Sequence, residues 1–311
     1  MKVSVPSLAK LNLDLRVLHK RPDSYHELRT IFQTISLSDR IAIEFEPARR
    51  SRIELESSVE IADNLVARTA KLVLDRLRIK GRVKLALEKH IPMGAGLGGG
   101  SSNAAAVLIA LPALAGRRTN VFELAALGEE LGSDVPFFLY GGTALGFGRG
   151  TELYPLPDAK VTNVLVIATG VHVSTAEAYR ALGRIVTDSL TSQVDSPILR
   201  EFQCAAWSVS GRSLEQIPLR NDFEAAVFRQ HPELAAIVRK LKKSGAKQAL
   251  LTGSGSAIWA RFADSESMRA AAARFPPGTA YPARFVGRRQ YRTLWRRALG
   301  PAASASCFVE G

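Results

Sequence analysis

The segment Pro92-Met93-Gly94-Ala95-Gly96-Leu97-Gly98-Gly99-Gly100-Ser101-Ser102-Asn103 constrains this chain most, because it sets five glycines within seven residues between a strand pattern and a helix pattern. Upstream, Val83, Leu85 and Leu87 alternate with Lys84, Ala86 and Glu88, the two-residue period of a strand. Downstream, residues 104–111 form an alanine-rich helix pattern that Pro112 is expected to end. Glycines without a Cβ let successive N–H groups approach phosphate oxygens, and the helix N-terminus behind them supplies about half a positive charge. Ser101 and Ser102 add hydroxyls able to donate to phosphate or to touch a magnesium ion. The plain alternative, a flexible loop with Ser102 or Asn103 as an N-cap, does not account for so many glycines at this junction. A Walker loop is excluded, since Gly100 is followed by Ser101 where that loop requires lysine. Gly94, Gly96 and Gly99 match the dinucleotide pattern G-x-G-x-x-G. Against it, about 90 residues of antiparallel pattern come first, and no ribose-binding acid closes a second parallel strand.

Leu11, Leu13, Leu15 and Val17 alternate with Lys10, Asn12, Asp14 and Arg16, which predicts a half-buried strand with Lys10 and Asn12 pointing the same way. Strand patterns at 31–37, 41–45 and 53–55 extend it into an antiparallel sheet. Val66, Ala70, Val73 and Leu77 draw one apolar helical stripe after Asp63, and 122–131 reads as a helix stopped by Gly132. Pro155 and Pro157 mark a junction near residue 158. A second unit follows with a strand (161–168), a helix (175–182), an irregular stretch, helices (222–228, 232–243), a hairpin (248–262), a helix (265–275) and a strand (283–286). That order predicts an α+β chain with a split β-α-β second unit carrying a helical insertion. The expected division is 1–157, 158–287 and a basic tail 288–311, frayed from Gly300.

Composition narrows the function. The longest low-polarity run, 104–116, falls short of the roughly 20 residues of a membrane span, and residues 1–14 lack the apolar core of a secretory signal, so a cytoplasmic location is expected. Cys204 and Cys307 stand far apart, which suggests neither a disulfide framework nor a zinc site. The 42 Lys and Arg against 29 Asp and Glu give +13, a field that favours anionic partners. Nucleic acid is one such partner. However, the arginines crowd into the tail (Arg284, Arg288, Arg289, Arg292, Arg296, Arg297) with no nucleic-acid module beside them, so an anionic small molecule is preferred.

Phosphoryl transfer to an alcohol needs an acceptor for the hydroxyl proton and positive charge around the γ-phosphate. Asp134, just after Gly132, is a candidate acceptor; equally, it suits an N-cap or first-turn acid worth about 1 kcal/mol. Lys10 could balance its charge or be a solvated strand lysine. Tyr25 and His26 are unremarked turn residues in isolation, and Asn64 and Lys89 read as a helix cap and a strand end. The Gly253-Ser254-Gly255 turn joins two strand patterns. His19, His90, His172 and His231 show no metal spacing, and no acidic metal ligand stands out.

Taken together, Lys10-Leu11-Asn12-Leu13, the loop from Pro92 to Ala104 and Leu251-Thr252-Gly253-Ser254-Gly255-Ser256 resemble, in order, the three motifs of the GHMP small-molecule kinases. Arg21-Pro22-Asp23-Ser24-Tyr25-His26-Glu27-Leu28 and Gly132-Ser133-Asp134-Val135-Pro136-Phe137-Phe138 resemble the branch whose substrate is a cytidine diphosphate derivative of a sugar alcohol, in non-mevalonate isoprenoid synthesis. The resemblance runs over residues 5–287 and implies the two-domain GHMP kinase fold, with a ribosomal-protein-S5-like N-terminal domain and a ferredoxin-like C-terminal one. It implies Lys10 and Asp134 as the catalytic pair, and ATP held by Pro92, Met93, Gly94, Ala95, Gly96, Leu97, Gly98, Gly99, Gly100, Ser101 and Ser102 with Asn64, Leu65 and Lys89. Substrate falls to Asn12, Tyr25, His26, Thr175, Tyr179, Gly253 and Ser254, with Tyr25 and Tyr179 on opposite faces of the cytosine and His26 hydrogen-bonded to it. Magnesium is expected with ATP, held mainly by phosphate and water, in a monomer or weak homodimer. Homoserine and mevalonate-type kinases are the competitors within the family. Residues 185–220, with Cys204 and Trp207, and the tail from Arg288 depart from the pattern.

Overall fold

The first strand pattern extends much further than four alternating residues. In the computed structural model, which describes residues 1–183, 197–209 and 219–306, β1 runs Lys2–Lys20 and pairs antiparallel with β2, His26–Pro47. The patterns at 31–37 and 41–45 are thus one long strand. β3 (Arg52–Ser57) and β4 (Gly81–Glu88) are parallel to each other, a correction to the all-antiparallel expectation. Its cause is α1 (Leu65–Arg76), the helical crossover that a parallel pair requires. α2 (Gly99–Leu114), α3 (Val121–Leu131) and the short α4 (Phe137–Tyr140) precede β5 (Thr143–Gly148) and β6 (Glu152–Pro155). The sheet order is β3-β4-β2-β5-β6, with β1 also on β2. α2 does not stop at Pro112; the proline lies in its last turn, where the helix continues to Leu114.

The second unit has β7 (Asn163–Ile167), α5 (Thr175–Leu182), α6 (Pro197–Val209), α7 (Glu224–Gln230) and α8 (Pro232–Lys243). β8 (Gln248–Leu251), β9 (Ile258–Arg261), α9 (Ser265–Ala272) and β10 (Ala280–Arg284) complete it. The all-antiparallel order β10-β7-β9-β8 is the ferredoxin-like arrangement the element order implied. Within the poorly matched stretch 185–220, α6 carries an exposed Cys204 and Trp207; residues 184–196 and 210–218, like Cys307, lie outside the described residues.

Residues from Arg288 are no loose tail. They form α10 (Arg288–Leu299), followed by a 3-10 turn, Gly300–Ala305. Tyr291, Trp295 and Leu299 recur at helical spacing and are buried in the core of the first unit, where α10 packs on β1 and the 3-10 turn, with Ala302, packs on α2. The arginine count hid this stripe.

A separate apolar cluster joins the units: Leu11, Leu13, Ile31 and Ile35 pack with Val164, Val166, Trp259 and Phe285. Ile35 bridges Phe285, and Leu15 bridges Asn221. β1 is therefore covered on both faces, so Lys10, Asn12, Asp14 and Arg16 are all buried where the alternation predicted a solvated face. The cleft between the units thereby acquires fixed walls.

Candidate active site

Two cavities flank the Gly-rich loop. The smaller, about 360 Å³, is lined by residues 92–101 of the Gly-rich loop together with Asn64, Leu65, Lys89 and Asn103. The larger, about 950 Å³, is lined by Lys10, Asn12, Tyr25, His26, Asp134, Thr175, Tyr179, Gly253 and Ser254 among others. Gly96 and Ser101 line both. The residues expected for nucleotide and for substrate thus separate into neighbouring compartments that meet at the loop.

The loop needs its glycines. Gly94, Gly96 and Gly98 have φ of 64°, 75° and 68°, and a Cβ on Gly96 would sit 2.4 Å from the Thr252 carbonyl oxygen. On Gly98 it would sit 2.9 Å from the Phe138 ring and 3.0 Å from Lys10 Cγ. Gly98 caps α2 without any side chain on the helix amides, which leaves them open towards the cavity. Two backbone bonds fasten the loop, Lys10 N–H to Leu97 O at 3.0 Å and Ala257 N–H to Ala95 O at 3.2 Å. Ser102 stands apart from its neighbours: it is 1% exposed, takes the Ser7 hydroxyl at 2.8 Å and lines neither cavity.

Lys10 Nζ lies 3.2 Å from Asp134 Oδ2, and the acid, 33% exposed, opens into the larger cleft. Asp134 is not an N-cap; it lies in the turn after Gly132, and Pro136 caps α4. Lys10 also donates to Asn12 Oδ1 at 2.7 Å, Asn12 Nδ2 donates to Thr30 Oγ1 at 2.8 Å, and the Asn12 amide donates to Thr252 Oγ1 at 3.0 Å. The turn bearing Gly253 and Ser254 is held by Asn221, which donates to the Leu251 and Gly253 carbonyls. Ser254 reaches Thr175 at the start of α5, hydroxyl to hydroxyl at 2.9 Å.

The aromatic end differs from the expected pair of facing tyrosines. His26 stacks directly on Tyr179, centroids 4.3 Å apart and planes at 17°, while Tyr25, half exposed, carries the Arg149 guanidinium 3.4 Å above its ring. Burial, with Lys20 and His19 adding to it, lowers the His26 imidazole below its usual range, so the ring is neutral near pH 7. Burial first and the Asp134 charge second push the Tyr179 phenol up, which keeps it protonated. On the side of the smaller cavity, Asn64 caps α1 through Val66 N at 3.0 Å and also lines that cavity. Lys89 is ion-paired to Asp39, whose carboxylate also takes the His90 and Ile91 amides at 2.7 and 2.8 Å. Sequence reasoning missed Asp39, Thr30 and Arg149, and took in Thr252 only as part of the third motif. Only Arg149 had a local signal, a cation set between Gly148 and Gly150.

Known proteins share this architecture. The profile described as GHMP kinases N terminal domain matches residues 64–142, and that described as GHMP kinases C terminal matches 209–277. A protein of Solibacter usitatus (strain Ellin6076) named 4-diphosphocytidyl-2-C-methyl-D-erythritol kinase is 54% identical over 293 residues, covering 94% of this chain and 92% of the relative. The chain belongs to the 4-diphosphocytidyl-2-C-methyl-D-erythritol kinases of the GHMP family. Another such kinase, from Moorella thermoacetica (strain ATCC 39073 / JCM 9320), is 39% identical over 92% of this chain and 98% of its own. A crystal structure of 4-(cytidine 5'-diphospho)-2C-methyl-D-erythritol kinase superposes with a TM-score of 0.75 at 34% identity, over 91% of this chain and 99% of that one. The likeness to homoserine kinase from Cytophaga hutchinsonii, TM-score 0.71 at 18% identity, is one of GHMP fold.

Proposed function

We propose that the chain transfers the γ-phosphoryl group of ATP to the 2-hydroxyl of 4-diphosphocytidyl-2-C-methyl-D-erythritol, in the non-mevalonate route to isoprenoid precursors. The observation that carries this reading is the junction of the two cavities at Gly96 and Ser101, with the Lys10–Asp134 pair on the wall of the larger. The open amides of α2 and the loop receive the triphosphate from one side, and Asn64 and Leu65 border the base. Asp134 orients the attacking hydroxyl and accepts its proton, a task that asks little basicity when the transition state is loose. Lys10 holds that carboxylate in place and brings positive charge to the transferring group.

At the far end of the cleft, Tyr25 and the His26–Tyr179 stack offer ring faces to the cytosine, each contact worth about 1–3 kcal/mol by analogy with base stacking on aromatics. Lys20, Arg149 and Arg180 line the same cleft and supply positive charge for the diphosphate. Magnesium fits as a companion of the nucleotide: Ser101, which has a hydroxyl oxygen to offer, lines both cavities where they join. When bound, it would neutralise charge on the β- and γ-phosphates, and Ser101 is the residue that would offer it a protein oxygen.

Offering ATP and magnesium with the alcohol, with and without its cytidine diphosphate, tests the reading through ADP release. ADP should appear only with the cytidine-bearing alcohol; equal turnover of homoserine or mevalonate overturns the substrate assignment.

A further inference from the structure

Thr30 is a wholly buried residue of β2 on the wall of the catalytic cleft, and neither the motifs nor the substrate reading gives it a task. Its hydroxyl oxygen accepts Asn12 Nδ2 at 2.8 Å and donates its single proton to the Asp14 backbone carbonyl, also at 2.8 Å. With Lys10 Nζ to Asn12 Oδ1 at 2.7 Å, this makes an unbroken row from the ammonium to the backbone: Lys10, Asn12, Thr30, Asp14. Both ends have fixed chemistry. An ammonium can only donate and a carbonyl can only accept, so every bond between them must run one way.

We infer that Thr30 is the positioning residue that decides which end of the Asn12 carboxamide faces Lys10. Because its proton is committed to Asp14, the hydroxyl has only acceptor capacity left for Asn12 and selects the amide's NH2; the carbonyl oxygen is then left for Lys10. Lose that hydroxyl and the NH2 end of the carboxamide has no acceptor, so the side chain is held at its oxygen end alone and can swing, carrying that oxygen away from where the ammonium now meets it. The ammonium then leaves the place it holds between Asn12 and Asp134, 3.2 Å from the acid. The threonine methyl has its own work, packing where a Cβ on Gly146 would come within 2.9 Å of Thr30 Cγ2, so the two parts of the side chain can be tested separately.

The inference rests on the proposed roles of Lys10, Asn12 and Asp134, and the experiment separates its failure from theirs. Turnover of the cytidine-bearing alcohol is measured for the full chain, for Asn12→Ala, Thr30→Val and Thr30→Ser, and for the Asn12→Ala/Thr30→Val double variant. Thr30→Val should lower kcat about ten-fold with KM for ATP within about two-fold, since geometry at the reacting centre is lost while the nucleotide compartment is untouched. Thr30→Ser, which restores the hydroxyl, should recover most of the loss. In the double variant, Thr30→Val should add nothing to Asn12→Ala, because it acts through that residue. Should Thr30→Val fail to fold, the same comparison is read on Thr30→Ala. If Asn12→Ala turns over like the unaltered chain, the site assignment falls and the inference with it. If Asn12→Ala is slow but Thr30→Val is not, if serine is no better than valine, or if the two losses multiply, the relay alone is overturned.

Discussion

Strand β1 carries two ion pairs, and they are built to opposite ends. Lys10 meets Asp134 through one point charge, with the lysine 4% exposed and the acid 33% exposed to the cleft. A few residues on, Arg16 grips Asp14 with Nε at 2.6 Å and Nη2 at 2.9 Å, both side chains wholly buried. Asp14 also takes the Arg220 amide at 3.0 Å, and Arg16 reaches Glu201 on α6 at 3.1 Å. The second pair is a forked, closed clamp that ties β1 to α6 and to the chain entering α7; the first keeps one partner open to small molecules. Burial of charge does not by itself distinguish a reacting group from a strut. Under the proposed function, what distinguishes them here is whether the carboxylate still faces open space.

Four substitutions can break or sharpen this contrast. The largest effect is expected at Asp134. Asp134→Asn should lower turnover by about 10²-fold or more while circular dichroism and ATP binding stay as they were; undiminished turnover removes the acid from the chemistry. Arg16→Met should do the reverse, since it leaves the Asp14 carboxylate buried without its partner. Its unfolding free energy in urea should drop by about 3–5 kcal/mol, far more than for Asp134→Asn. A stable Arg16→Met variant that had lost turnover would erase the distinction between the pairs.

Next comes Gly96→Ala, which places a Cβ against the Thr252 carbonyl in a left-handed backbone. A strain of about 1–3 kcal/mol should appear as a KM for ATP raised roughly ten-fold or more, with KM for the alcohol less affected. The smallest effect is a pH slope. Burial pushes Glu224 up to about 7, against the Leu251 amide and Lys242, which pull it down. The folded chain therefore holds a proton that the unfolded chain loses above its ordinary value of 4.5. This contribution to stability is full below that pH and is lost as the pH rises through about 7. Glu224→Gln should flatten the fall in unfolding free energy between pH 5 and pH 8 by on the order of 1–3 kcal/mol; an unchanged slope assigns it to other groups.

The two pairs also mark how far the sequence could be read. The loop at 92–103 was legible because a strand, a run of glycines and a helix start are adjacent in the chain, and physical rules for each are local. Lys10 and Asn12 were legible as sharing a face through the two-residue period of β1, and Asn64 as a cap through its place before an apolar stripe. Asp14 and Arg16 followed the same alternation and were taken for a solvated face, because nothing near them in sequence announces that α6 and residues 220–222 will close over it. Arg149 over Tyr25 and His26 on Tyr179 join residues more than a hundred apart, and no periodicity encodes a meeting of that kind. The parallel step from β3 to β4 could have been suspected from the helix between them, which is long enough to act as a crossover.

One further consequence belongs to α10. Its aromatic stripe completes the core of the unit that begins the chain, although the whole second unit is made in between. During synthesis on the ribosome, the unit built from β1 to β6 therefore waits with an uncovered flank until residues 288–306 emerge. The core of the first unit closes only when α10 has been made, so a chain interrupted before it leaves that core without Tyr291, Trp295 and Leu299.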